Sequence, residues 1–172
     1  SYPILMHAHN YYELNVVTKG ECRHYFNNKS HPAKAGDIFM IPPYTEHGYW
    51  ADSEEPQIFH LIIKNDITEK YKYQFGKYPG IKILFEVEPQ IRMAFSNLSL
   101  NINISKSLLG DFVHDFDELI AIDKERAEDD GVMFELKTVC LLCKLAKIIS
   151  QKYAVTDDRP DNTADYIILK TT

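Results

Sequence analysis

Between Tyr11 and Ile63, turn signals interrupt the chain so often that no strand-helix-strand unit fits between them. Tyr11 to Thr18 is rich in β-branched and aromatic residues and stops at Lys19-Gly20. Glu21 to Phe26 stops at Asn27-Asn28, a hairpin turn signal because Asn tolerates positive φ. Ile38 to Ile41 follows Gly36-Asp37 and stops at Pro42-Pro43. Ile58 to Ile63 is apolar at almost every position, the pattern of a strand buried on both faces. Strands this short and this closely spaced pair antiparallel, and the expected architecture is a sandwich or barrel.

The period changes near Ser105. Leu109, Phe112, Val113, Phe116, Leu119 and Ile120 recur at spacings of three and four, which predicts a helix with acids on its opposite face. Gly131 breaks that pattern, and a second helix is predicted to about Tyr153. Lys137, Lys144, Lys147 and Gln151 form its narrow polar stripe. The apolar arc of this second helix is too wide for one neighbour, so Val139, Leu142, Ala146 and Ile149 are expected to cover a second copy of the chain. The 172 residues suffice for one core with an appendage. The expected division is a barrel over 1–104, helices over 105–153, and a polar linker with the start of a further module over 154–172.

Several function classes are excluded at this level. Residues 111–130 hold nine acids against Lys124 and Arg126, so that segment carries −7 of a net −6 and the remainder is near neutral. A DNA-binding surface needs a basic stripe, and none is present. Aromatics interleave with lysines from Lys70 to Gly80, but four lysines are few for stacking on nucleic acid, and a loop lying across the barrel is expected. Lys144 and Lys147 interrupt the most apolar run, so no membrane span is expected. Ser1 to His9 lack the features of a signal peptide, and the expected compartment is the cytoplasm. Cys22, Cys140 and Cys143 form no disulfide framework or complete zinc pattern and are expected to be buried thiols.

Histidines carry the chemistry. His7 and His9 alternate on an extended segment, and Glu13 and Asn15 share their parity. His47 follows one hairpin later, after Pro42-Pro43. The order His7-x-His9, Glu13, Gly20, then Gly36, Pro42 and His47 resembles the two motifs of the cupin superfamily, with Tyr44 standing where the second motif usually has Gly and Ala51 where it often has Asn. The resemblance implies a jelly-roll barrel, mainly β with C-terminal α, in which His7, His9, Glu13 and His47 hold a divalent metal such as Zn, Ni, Mn or Fe. The other reading of these residues is a hydrogen-bonded cluster inside a metal-free barrel. Asn15, Tyr44 and His60 complete the candidate ligand-binding set, with Arg23, His24 and Tyr25 behind them. His31, beside Pro32, and His114, among acids, are expected to be solvated.

A narrower resemblance covers most of the chain. The runs His7 to Leu14, Gly20-Glu21, Ala35 to Pro43 with His47, Phe59 to Ile63, Leu84-Phe85 and Glu88 to Arg92 resemble the N-terminal sensing domain of AraC-type transcription regulators. Asn162 to Ile167 is similar to the opening helix of that family's DNA-binding module, and Ser1 and Thr172 suit a chain cut from a longer regulator. The resemblance implies a non-enzymatic, homodimeric domain of a cytoplasmic bacterial regulator. It would bind a small molecule, a sugar or related metabolite, and reach DNA only through the missing module. The alternative is a metal-dependent cupin oxygenase or isomerase on the same four residues.

Overall fold

The computed structural model describes residues 3–51, 56–95, 102–125 and 131–153. The strands form two four-stranded antiparallel sheets facing each other, in keeping with the sandwich or barrel expected from the spacing of the turns and with the jelly roll that the cupin resemblance implies. The first runs β1 (Ile4–His7), β6 (His47–Trp50), β3 (Glu21–Phe26), β4 (Lys29–Lys34). The second runs β7 (Gln57–Ile63), β2 (Tyr12–Lys19), β5 (Asp37–Ile41), β8 (Ile102–Asn103). Asn27 and Asn28, with φ of 47° and 61°, make the two-residue turn that pairs Phe26 with Lys29. β4, with Pro32 on an edge strand and little apolar content, carries no strand signal of its own.

The two faces of the second sheet have different jobs. Leu14, Val16, Ile38, Met40, Leu61 and Ile63 belong to the large apolar core that joins the sheet to the helices. A smaller cluster inside the barrel contains Val17, Cys22, Ala33, Phe39 and Tyr49, drawn from both sheets. The main core therefore lies outside the barrel, which leaves the barrel interior free to hold polar groups.

The segment expected to be a loop across the barrel is helical. Residues 67–94 form α1 (Ile67–Lys70), α2 (Lys72–Phe75) and α3 (Gly80–Lys82), then a π-helical turn (Ile83–Val87) leading into α4 (Glu88–Ala94). Tyr71 and Phe75, one turn apart, lie against the apolar core, while Tyr73 is exposed. The aromatic-lysine mixture thus reads as two short amphipathic turns.

α5 (Lys106–Glu125) starts at Ser105, whose hydroxyl accepts from the Leu108 amide, and α6 (Val132–Lys152) follows Gly131 at φ 73°. Leu109, Phe112, Phe116 and Leu119 of α5 are buried, and Phe116 stacks on Phe59 of β7 with centroids 3.9 Å apart. Val139, Leu142, Ala146 and Ile149, expected at a dimer face, are at most 7% exposed in the single chain and lie in its own core. The helices of residues 67–94, which the sequence pattern did not announce, cover that arc. Cys140 is also a correction, being exposed, whereas Cys22 is buried and Cys143 half-buried. No helix among the described residues is long and apolar enough to cross a membrane. The linker and the opening helix expected over 154–172 lie outside the described residues.

α3 meets α6 at contact distance. The Gly80 amide donates to Ser150 Oγ at 2.8 Å, and that hydroxyl donates to the Ala146 carbonyl at 2.7 Å. A Cβ on Gly80 would fall 2.1 Å from the same carbonyl oxygen. Gly80→Ala should therefore destabilise the fold by about 1–3 kcal/mol in urea unfolding, the usual cost of overpacking. Unchanged stability would mean that α3 can leave α6 without loss.

Candidate functional site

The chain changes sheets between His7 and Tyr12. His7 ends β1 and pairs with His47 of β6 in the first sheet, while Glu13 lies on β2 in the second. His9 sits in the crossing segment, where its carbonyl accepts from the Tyr44 amide at 2.7 Å. The shared parity expected to place His7, His9 and Glu13 on one strand face does not apply, because they meet across the barrel interior. His7 and His47 have ring centroids 4.2 Å apart, and His9 and His47 4.8 Å. One nitrogen from each of the three rings lies within 4.8 Å of the others.

The backbone sets the orientation of these rings. Nδ1 lies 2.9 Å from the Leu5 carbonyl in His7, 2.9 Å from the Tyr11 carbonyl in His9, and 3.0 Å from the Thr45 carbonyl in His47. A carbonyl only accepts, so in each neutral ring Nδ1 carries the hydrogen and Nε2 keeps a lone pair. Nε2 of His9 and of His47 are buried without a hydrogen-bond partner among the described residues. The Glu13 carboxylate faces them, at 3.3 Å from His9 and 3.8 Å from His47. Lone pairs of two imidazoles thus point towards a carboxylate that also only accepts, an arrangement that a cation between them reconciles. The three imidazoles therefore fit a divalent metal by donor type, tautomer and backbone support, with the Glu13 carboxylate beside two of them.

Around this cluster, His60 Nδ1 donates to Glu13 Oε1 at 2.9 Å, and the Asn15 amide donates to the Glu13 carbonyl at 3.4 Å. Burial acts to raise the Glu13 pKa, but the hydrogen bond and charge of His60, with Asn15 and His47, outweigh it and hold the carboxyl at about 2. Burial pushes His47 down to about 4, against the opposing pull of the Thr45 carbonyl and Glu13, so the ring stays neutral. His60 has a third of its side chain exposed, and Ile62, two residues on along the same face of β7, is 56% exposed. The barrel is open on this side.

The remaining expectations divide. His24 is fully buried in the barrel, stacked on Phe39 and Tyr49 at 4.4 Å and 4.8 Å. Tyr49 was missed, although it shares strand parity with His47 and lies opposite His24 in register. Tyr44 is not brought into the cluster: it adopts φ 62°, is 78% exposed, and contributes its amide to His9. Arg23 lies on the outer face of β3, with a guanidinium nitrogen 3.3 Å from Ser30 Oγ. His31, expected in solvent, is buried at 1% exposure, whereas His114 is exposed as expected.

Burial holds His24 well below the ordinary imidazole range and His31 at about 4, the nearby Arg92 charge adding to both. An exposed imidazole titrates near 6.5. Between that value and about 4 the unfolded chain binds more protons than the folded one, so stability rises with pH across this window and falls as pH is lowered. Below 4.5, protonation of Glu13 in the unfolded chain acts in the same direction. With chelator present, urea midpoints should decrease steadily from about pH 6.5 to 4, and His24→Phe should flatten the slope. A midpoint independent of pH over that range would contradict buried neutral imidazoles.

The model of the AraC-like ligand binding domain matches residues 4–102. No curated protein matches the chain. Among solved structures, the plu4264 protein of Photorhabdus luminescens is 26% identical over 42% of this chain and 62% of its own, with a TM-score of 0.34. An RmlC-like cupin from Shewanella frigidimarina is 23% identical over 37% of this chain and 58% of its own, with a TM-score of 0.33. Both likenesses span less than two thirds of the other protein. With the family model spanning the whole barrel, from β1 to β8, the chain belongs to the AraC-like ligand-binding domain family.

Proposed function

We propose that this chain is the effector-sensing and dimerisation part of a cytoplasmic, bacterial AraC-type transcription regulator, not an enzyme, and that the regulator reaches DNA through a separate DNA-binding module. One observation supports this reading above others: buried, oriented lone pairs on His9 and His47 converge on Glu13 inside a barrel that is open beside His60 and Ile62. Such a site suits a small molecule with several polar groups, a sugar or related metabolite, held by hydrogen bonds or through a divalent metal. When bound, the metal supplies a positive centre for an oxygen of that molecule. Asn15 and His60 hold Glu13 in place for either role.

The exposed acids of α5, Asp111 and Asp117 among them, repel a nucleic-acid backbone and favour a sensing role. Dimerisation uses the first half of α6. Val132, Met133 and Leu136 are about half exposed, and Cys140 is exposed one turn further along the same face, opposite the face that meets the core. Ligand binding would shift the balance between arrangements of the α5-α6 pair by its difference in affinity for them.

A thermal-shift screen of sugars, organic acids and divalent metals checks the sensing part, because a specific ligand stabilises by mass action. Zn²⁺ or Ni²⁺ should raise the melting temperature of chelator-treated protein, with affinity lowered more than about tenfold by His47→Ala. Turnover of a stabilising compound would instead favour a metal-dependent cupin enzyme. For the dimer, Leu136→Glu should convert a sedimenting dimer into a soluble monomer, and a wild-type monomer at micromolar concentration would reject this interface.

A further inference from the structure

A cavity of about 680 Å³ lies outside the barrel, between β7, α1 and the facing sides of α5 and α6. Its size is that of a small-molecule site. Phe59, Ile67, Leu119 and Phe134 make it largely apolar. Two polar features interrupt that wall. Thr138 lines the cavity at 2% exposure, and its hydroxyl has no hydrogen-bond partner among the described residues, not even the carbonyl one turn earlier that a helical threonine often uses. Among the described residues β7 is the edge strand of its sheet, and five consecutive residues, 59–63, line the cavity, so the backbone of a sheet edge borders it.

Charge narrows the class of ligand. Among the described residues the rim carries three lysines and three acids. Lys70 pairs with Glu135, which leaves Lys64 and Lys124 balanced by Asp66 and Asp123. An ion of either sign gains little from described rim charges that balance one another, whereas a neutral molecule loses little on entering. We propose that this cavity is a second small-molecule site, for a neutral, mostly apolar compound with one hydroxyl or carbonyl group that pairs with Thr138. The site is distinct from the barrel interior but linked to it, because His60 borders the cavity and donates to Glu13. Its occupant would touch the strand that supports the histidine cluster and both helices of the hairpin.

2-Naphthol serves as the probe, with 2-naphthoate and 2-naphthylmethylammonium as the charged arms, followed by fluorescence near neutral pH. Saturable binding of naphthol, weaker for both ions, is expected. Thr138→Val should weaken it about fivefold, the loss of one neutral hydrogen bond, while Thr138→Ser retains it. Ile120→Trp, at a partly exposed position in the cavity wall, should block binding, and His47→Ala should leave it unchanged. Urea midpoints establish that each variant is folded. Four results would overturn the proposal: no saturable binding by the wild type, tighter binding of naphthoate that is lost in Lys64→Gln, loss in His47→Ala with Thr138→Val unaffected, or a change of oligomeric state in Ile120→Trp with binding intact. The last would make the cavity an interface between copies of the chain.

Discussion

Burial of the second sheet on both faces is the constraint on which the rest of the structure depends. A small barrel that had to supply the whole hydrophobic core would fill its interior with aliphatic side chains and leave no room for a cluster of imidazoles. Here Leu14, Val16, Met40, Leu61 and Ile63 face outward onto the helices and provide most of the apolar burial. Their strand neighbours Glu13, Asn15 and His60 then face inward, at a desolvation cost that the outer core offsets. The helices are therefore required for the polar interior to exist, which physically couples the state of the barrel to the packing of the helices.

The same division explains the link to α4. Glu88 and Arg92 form a buried ion pair, with Nη2 2.5 Å and Nε 2.7 Å from the carboxylate. The guanidinium lies over the Phe39 ring at 4.7 Å, and the Met40 amide is 3.4 Å from Glu88. Phe39 also stacks on His24 inside the barrel. A charge-bearing helix is thus fastened to β5, which contributes Phe39 to the barrel interior, and through the π-helical turn it continues into α3 and the contact of Gly80 with α6. Close packing transmits strain, and these contacts form an unbroken series from Phe39 to α6.

The histidine cluster relies on the backbone more than on neighbouring side chains. Each of its three rings is held by a carbonyl two residues away, so the arrangement survives substitution nearby and depends on the local path of the chain. That path is irregular: pairing of β1 with β6 shifts register between Ile4 and His7, and the chain then crosses to the other sheet. One of the irregular stretches of backbone thus lies where the rings converge.

Much of the fold is legible in the amino-acid sequence because turn chemistry and side-chain period are local. Asn27-Asn28, Lys19-Gly20 and Pro42-Pro43 mark strand ends through their own φ preferences, and the change to a 3.6-residue period near Ser105 marks the helices. The types and order of His7, His9, Glu13 and His47 likewise single out side chains that the fold brings together. Tertiary structure alone decided the rest. Whether Val139 and Leu142 meet a second chain or the same one depends on what residues 67–94 cover, a long-range contact without a local signal. Whether Tyr44 enters the site depends on one positive φ, and whether His7 and Glu13 share a strand depends on a crossing between sheets. Period and propensity report on neighbours within a turn or a strand pair, whereas these outcomes are set by the energy of packing distant segments together.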